Sequence, residues 1–445
     1  MSSTTLPPRP PVPSTFSQYV RSMGPGLIAV LTWLGAGDVI EAGMAGGNYG
    51  YALMWVVVVA LLVRFLFVSL LAKYQLCNPR GEGVVDGLVR LNRFYAPALF
   101  VACIVMGHVY GAYMAVGVGE TWAKLTGRGS TWMWSVGWAA LALLIAFRPG
   151  QRVLDLVFKL LLGLLSVSFL GVAIWVGPSP LGILKGTLTF ALPPQVGPFD
   201  SALLAVGMIG AVGGSLMNLA YPYFIEQKGW RGPEYRRVQT YDFLVAIIVM
   251  IVLDLSIWTL GAELVHGRGR SIHDLEGLTS LLTEVLGETG RVLFHLGVFA
   301  AVFTSIVGHA VGLGAIAAHA HRLWRRPPGA TASTESSPPP ATTSSPVYRA
   351  LVLWVLISPL IWTAPGMPDF VTLTVLVQSL QVVLIPFLAG GIWWITASPR
   401  FLDSKYRNRP WENVFMAGIF ALALWGAWGS VRTVATAVSR MFAST

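Results

Sequence analysis

The stretch "LGAGDVIEAGMAGG", Leu34 to Gly47, lies inside a long apolar run and places two carboxylates, Asp38 and Glu41, directly behind Gly35-Ala36-Gly37. Hydrocarbon offers no hydrogen-bond partner, so an interrupted backbone and ionisable side chains persist in a membrane helix only where protein or a water-filled cavity satisfies them. The stretch therefore reads as a break in a spanning helix, and a binding site is expected there.

The surrounding composition supplies the membrane. Of 445 residues, 55% are hydrophobic and only 11% charged, against roughly 25% charged residues in soluble domains. A span takes about 20 apolar residues. Eleven such runs recur, among them 26–47 (first), 201–225 (sixth), 292–319 (eighth), 350–365 (ninth), 370–396 (tenth) and 413–437 (eleventh). The expected fold is an all-α polytopic membrane protein whose surroundings are the lipid bilayer.

The net charge of +10 does not point to a nucleic-acid partner, because the basic residues follow topology. With the N-terminus cytoplasmic, twenty of the 30 Lys and Arg fall in inside segments and eight outside. That bias places the N-terminus in the cytoplasm and, after eleven spans, the C-terminus outside a cell membrane. Residues 1–23 read as a disordered cytoplasmic lead-in, 24–437 as one transmembrane domain and 438–445 as a short extracellular end. Within the domain, 327–346 is a Pro/Ser/Thr-rich cytoplasmic linker between the eighth and ninth spans, with too little apolar surface to fold. Residues 263–291 end in an amphipathic pattern expected to pack over the outer mouth.

A second interruption appears in "GMIGAVGGSLMNLAYPYF", Gly207 to Phe224, with Gly213-Gly214-Ser215 in mid-span and Pro222 toward its end. Spans one and six correspond if the first ten spans form two five-helix repeats of inverted topology, with the eleventh as an addition. Paired glycine breaks at matching places are the sequence pointer to a secondary transporter's midplane site. Small residues also serve close helix packing. The coincidence of two breaks, one followed by carboxylates, favours a site.

The same residues carry a family resemblance. "GPGLIAVLTWLGAGDVIEAGMAGGNYGYALMW", Gly24 to Trp55, resembles the first two spans of NRAMP-type transporters. "LLAVGMIGA" (Leu203 to Ala211), "GVFAAVFTSIVGHAVG" (Gly297 to Gly312) and "VQSLQVVLIPF" (Val377 to Phe387) are similar to the approach to that family's sixth span and to its eighth and tenth spans. The resemblance covers roughly residues 24–400. It implies a leucine-transporter-like fold with broken helices one and six, and transport of divalent metal ions. The departures fall on the family's chemistry. Where the family has Asp-Pro-Gly-Asn, this chain has Gly35, Ala36, Gly37 and Asp38; its Met-Pro-His falls on Gly214, Ser215 and Leu216. The third-span acids that relay protons correspond to Gly111 and Met114.

The donors left around the two breaks are Asp38, expected to be the metal ligand, Glu41, backbone around Gly35, Gly37, Gly213 and Gly214, Ser215, Asn218, and the amides Gln378 and Gln381. All are hard oxygen donors, which suit Mg, Ca and Mn over softer ions. Two other readings stay open. Helix N-termini at a break also hold anions, so a small anion or organic solute is the alternative substrate. Asp38 also reads as the N-cap of the second half of span one, with Glu41 completing a capping box. His108 and His309 are the proton-transfer candidates; without acids at 111 and 114, coupling to protons is not expected. Arg64 and Asp254 read as structural, neutralising one another or other buried groups. No zinc-hydrolase, serine-hydrolase or nucleotide-binding motif is present, so no enzyme and no cofactor is expected.

Overall fold

The computed structural model describes residues 9–147, 151–194, 201, 205, 208, 209, 212, 215–266, 275–326 and 345–443. Gly213, Gly214 and most of the linker expected at 327–346 lie outside the described residues. Every regular element among the described residues is helical.

Helix α1 (Phe16–Ser22) falls within the lead-in expected to be disordered. Thr15 and Gln18 form a capping box, Thr15 Oγ1 accepting from the Gln18 N–H and Gln18 Oε1 from the Thr15 N–H. The Thr-x-x-Gln signature caps the start of this two-turn helix.

Span one is split into α2 (Pro25–Trp33) and α3 (Ala36–Tyr49). Only Leu34 (φ −69°, ψ 82°) and Gly35 (φ −112°, ψ −166°) leave helical geometry, so the break is shorter than the Gly-Ala-Gly tripeptide suggested. At the start of α2 the N–H groups of Gly24 and Gly26 donate to the two carboxylate oxygens of Asp242, at 2.8 and 2.7 Å. This distant carboxylate satisfies helix-start donors that no local residue could cap. The glycines at the end of the opening stretch have a different task. A methyl on Gly46 would strike the Trp258 carbonyl, and one on Gly261 would strike the backbone of Gly43 and Gly47. There the two helix backbones touch, as small-residue membrane interfaces do.

The chain continues through α4 (Trp55–Cys77), α5 (Val84–Leu91), α6 (Tyr95–Thr126), α7 (Thr131–Phe147) and α8 (Gln151–Leu165). A π-turn at Ser166–Gly171 leads into α9 (Val172–Val176), followed by α10 (Pro180–Leu188). Residues 201, 205, 208, 209 and 212 are helical, Ser215 is not (φ −51°, ψ 137°), and a 3-10 turn Leu216–Ala220 leads into α11 (Tyr221–Gln227). Span six is thus broken, as expected. Helix α12 is Arg236–Leu264, and α13, Leu275–Arg325, bends at Gly287, whose φ of 63° only glycine adopts without strain. Then come α14 (Pro346–Ile357), α15 (Phe370–Gln381), α16 (Ile385–Ala397) and α17 (Pro410–Ala443).

Span ten, expected as one helix, is interrupted by the 3-10 turn Val382–Leu384. Pro386 has no N–H for the carbonyl of Val382, which loosens the turn directly after Gln381. Seven helical stretches of the described residues are long and apolar enough to cross a bilayer. Apolar side chains such as Leu144, Leu160, Ile174 and Trp428 are exposed on the outside, while Glu41, Arg64, Asp254, His309 and Gln381 are buried within. Polar inside and apolar outside is the arrangement a bilayer selects.

Candidate functional site

The two-residue gap after Trp33 is held open by neighbours that leave no room for side chains. A methyl on Gly35 would crowd Ser305 Oγ of α13, and one on Gly37 would collide with the Gln378 amide of α15. Ser305 Oγ donates to the Thr32 carbonyl at 3.1 Å, giving one of the last carbonyls of α2 a partner. The indole of Trp33 donates to the Met217 carbonyl at 3.2 Å, tying the first break to the second.

Asp38 is the third residue of α3, and its Oδ2 accepts the Gly35 N–H at 3.1 Å. The N-cap is therefore Gly35, and Asp38 reaches back to it. The expectation that Asp38 is the N-cap with Glu41 closing a capping box is corrected: the gap lies three residues further from Asp38, and Glu41 is buried a turn beyond the helix start. Asp38 stays partly accessible within the bundle.

Several of the expected donors are joined to one another in the core. Tyr110 of α6 is the hub. Its hydroxyl donates to Gln381 Oε1 at 3.0 Å and lies 3.5 Å from Ser215 Oγ, and its ring meets His309 edge-on, with centroids 4.9 Å apart. Gln381 Nε2 donates to Gln378 Oε1. Spans three, six, eight and ten thus meet in one polar network, and span one packs against it where Gly37 faces Gln378. Ser215 also caps the 3-10 turn, accepting the Met217 N–H at 3.3 Å. Asn218 is fully buried in that turn.

His309 Nδ1 is 2.8 Å from the Ser305 carbonyl, so that nitrogen carries the proton and Nε2 is left as an acceptor. His108 faces elsewhere. Its Nδ1 is 2.9 Å from Ser358 Oγ and its Nε2 accepts the Trp362 indole N–H at 3.0 Å, both in the turn after α14. Residues 108 and 110 are two apart on a helix and point to different faces. Sequence reasoning singled out the histidine and passed over Tyr110 as a site residue; the 3.6-residue period was the signal that separates them.

Arg64 of α4 is also drawn into the site. Its Nε donates to the Val212 carbonyl at 2.8 Å, its guanidinium lies 5.0 Å from the centre of the Trp33 ring, and Nη1 is 3.6 Å from Met250 Sδ. The opposite charges acting on it are Asp38 and Asp254, although among the described residues no carboxylate is within 4.0 Å of its nitrogens. Of the two readings, neutralising Asp254 or other buried groups, the structure shows no direct Arg64–Asp254 contact and places Arg64 against a backbone carbonyl and the Trp33 ring. Glu41 feels Asp38, and Asp254 feels both. The described residues contain no group of three or more His, Cys, Asp or Glu able to cage a metal ion. A cation here would be held by Asp38 with neutral oxygens and water. Met217, three residues beyond the position where the family's thioether is lost, seats its methyl against Gly312.

A second polar cluster lies beyond the membrane core, on the side of the N-terminus. His319 is buried, with Nε2 3.2 Å from Asp86 Oδ2 and Nδ1 2.8 Å from the Tyr223 hydroxyl. Burial alone would raise the Asp86 carboxyl, but His319, the Gly83 N–H and Arg322 hold it below the usual carboxylate range. Glu226 lines the same small cavity, and burial pushes it up to about 7 despite the opposing charge of Arg231.

Broken helices facing each other across a buried polar network define this chain as an integral membrane transporter, not an enzyme. The model of the family "Natural resistance-associated macrophage protein-like" (Nramp) matches residues 26–429, and the chain belongs to that family. It is 28% identical over 423 residues to the divalent metal cation transporter MntH of Mycobacterium tuberculosis, covering 90% of this chain and 89% of the relative. Its fold matches the manganese transporter of Eremococcus coleocola with a TM-score of 0.79 at 16% identity, over 97% of this chain and 91% of the other. MhsT in complex with L-phenylalanine matches with a TM-score of 0.56 at 14% identity, over 92% and 98%. The leucine-transporter-like architecture is shared across these folds.

Proposed function

We propose that this protein moves a hard divalent cation, Mn²⁺- or Mg²⁺-like, by alternating access at the junction of the two breaks, with the N-terminus cytoplasmic and without proton coupling. One observation carries this reading: behind the first break the carboxylate of Asp38, partly accessible within the bundle, accepts the Gly35 N–H through Oδ2, and Glu41 is buried a turn further along α3. A carboxylate at the break draws a cation where the interior screens poorly. The nearby neutral donors, Gln378, Gln381 and Ser215, are hard oxygens, in keeping with a cation that retains part of its water. The family's ligands are altered here, so the cations transported by relatives serve as support and not as a substitute for this argument.

Against proton coupling, Gly111 and Met114 line an apolar cavity with Val118, Ile306 and Leu356, and His108 has both nitrogens engaged away from the break. A second reading, transport of a small anion or organic solute, draws on Arg64, since a buried guanidinium beside helix ends also suits an anion.

The test is uptake into liposomes together with thermal stabilisation of the purified protein. Mn²⁺ or Mg²⁺ is expected to stabilise and to be taken up, with weak single-site binding of Cd²⁺ and no acceleration by an inward pH gradient. Stabilisation by anions alone would refute the cation reading. Strong pH-driven uptake lost in His108→Ala or His309→Ala would refute the uncoupled one.

A further inference from the structure

We propose that Arg64 is a tethered cation occupying the place where transporters of this architecture bind a coupling ion, so that the protein needs no monovalent co-substrate. Coupling ions in such folds sit against half-helix C-terminal ends and unwound carbonyls. Those ends carry the negative pole of the helix dipole. Here Arg64 Nε takes the carbonyl of Val212, the last helical residue described before the second break, and the guanidinium covers the ring of Trp33, the last residue of α2. One side chain therefore engages the first halves of both broken spans. It is 4% exposed and is contributed by α4, which lies outside both breaks.

A second observation supplies the counter-charge. Asp254 of α12 is 3% exposed, and its Oδ1 has no hydrogen-bond partner. A buried carboxylate in that state is costly unless a positive charge compensates it. The charges acting on Asp254 are those of Arg64, Asp38 and Glu41, and only Arg64 is positive. The remaining titratable groups facing Arg64 are Tyr110 and His309. Arg64 faces both Asp38 and Asp254 and, as one positive charge among three carboxylates, leaves negative charge to a transported cation. A guanidinium in the site is in this way compatible with a cationic substrate. The inference rests on the proposed cation transport.

The experiment compares wild-type protein with Arg64→Met and Arg64→Lys in liposomes, measuring Mn²⁺ uptake in Na⁺, K⁺ or choline media, with guanidinium chloride added in a further arm. Wild-type uptake is expected to be the same in all three media. Arg64→Met is expected to lose at least about tenfold in choline, as a buried carboxylate is left uncompensated, and to recover most of it in Na⁺ or guanidinium. Arg64→Lys is expected to remain indifferent to the medium. Wild-type uptake driven by a Na⁺ gradient overturns the proposal, as does an Arg64→Met variant that either transports normally or stays inactive in every medium while folded. If Arg64→Met does not fold, the Lys variant decides: acquisition of Na⁺ dependence overturns it. Calorimetric Mn²⁺ binding to the wild type is measured separately. Its absence refutes the cation reading alone, and the tethered charge is then read from Na⁺-induced thermal shifts, expected in Arg64→Met and absent in the wild type.

Discussion

The carboxamide of Gln378 occupies the space in which a side chain at residue 37 would begin. The glycine at the second position of α3 is thus explained by a specific partner on span ten, and the pair couples the two segments mechanically. Gly37→Ala is expected to destabilise the protein by about 1–3 kcal/mol, the range for overpacking a tight interior, and to abolish uptake. Adding Gln378→Ala should restore the thermal midpoint of Gly37→Ala most of the way. A double variant no more stable than Gly37→Ala would show that the collision is not the reason for the glycine.

Tyr110 joins α6 to Gln381 and approaches Ser215 through one hydroxyl. Tyr110→Phe keeps the ring against His309 and removes only that oxygen. The loss of one buried hydrogen bond costs about 1 kcal/mol, so folding should survive, while uptake falls because spans six and ten are no longer held in one network. Wild-type uptake by a folded Tyr110→Phe protein would remove the hydroxyl from the site.

The breaks and the hard donors were legible because they depend on residue type alone: glycine pairs, a carboxylate behind one of them, amides at helical spacing on span ten. What was not legible depends on distant partners. Asp242 caps α2 from across the chain, and no local pattern announces it. Arg64 read as neutralising Asp254 or another buried group, and it binds a backbone carbonyl and lies over Trp33; which group a buried guanidinium satisfies is decided by packing. The break was expected to begin one residue late and end two residues late, because Leu34 is already non-helical while Ala36 and Gly37 are helical, and glycine content does not mark where a helix resumes. Pro386 was a visible cue to the turn after Gln381, outweighed by the apolar run around it.

The cluster on the side of the N-terminus gives a pH prediction of defined sign. Burial carries Glu226 from an ordinary value near 4.5 to about 7, so between those values the folded protein holds a proton that the unfolded chain has released. Stability falls as pH rises through that window, and the full penalty, at most about 3 kcal/mol, is present above it. Glu226→Gln should therefore raise the thermal midpoint at pH 8 and leave it nearly unchanged at pH 4.5. Asp86 runs the other way. Its carboxyl is held below the usual range, so its contribution is present at neutral pH and fades on acidification, and Asp86→Asn should be most harmful near pH 7. An equal shift at both pH values in the Glu226→Gln variant would contradict this assignment.

Asp38 separates a ligand from a cap. Its Oδ2 accepts the Gly35 N–H at 3.1 Å, and the carbonyl oxygen of an asparagine can accept the same bond, so Asp38→Asn preserves the start of α3 while removing a full charge from the break. If the carboxylate holds the cation, the variant should fold with a thermal midpoint close to the wild type, lose Mn²⁺-induced stabilisation and lose most uptake. If it serves only to close the helix end, Asn should be nearly silent, and Asp38→Ala should lose about 1 kcal/mol of stability, as helix-start caps do. If an anion is the substrate, neutralising Asp38 should leave uptake intact or raise it, since a like charge is removed from the site. Arg64 sharpens the distinction, because with Asp38 neutral the guanidinium keeps only Asp254 as an opposing charge, and a dication would then enter a site one negative charge poorer. Undiminished Mn²⁺ uptake by a well-folded Asp38→Asn protein would withdraw the ligand role from this residue and leave the cation to Glu41, the amides of Gln378 and Gln381, and backbone oxygens.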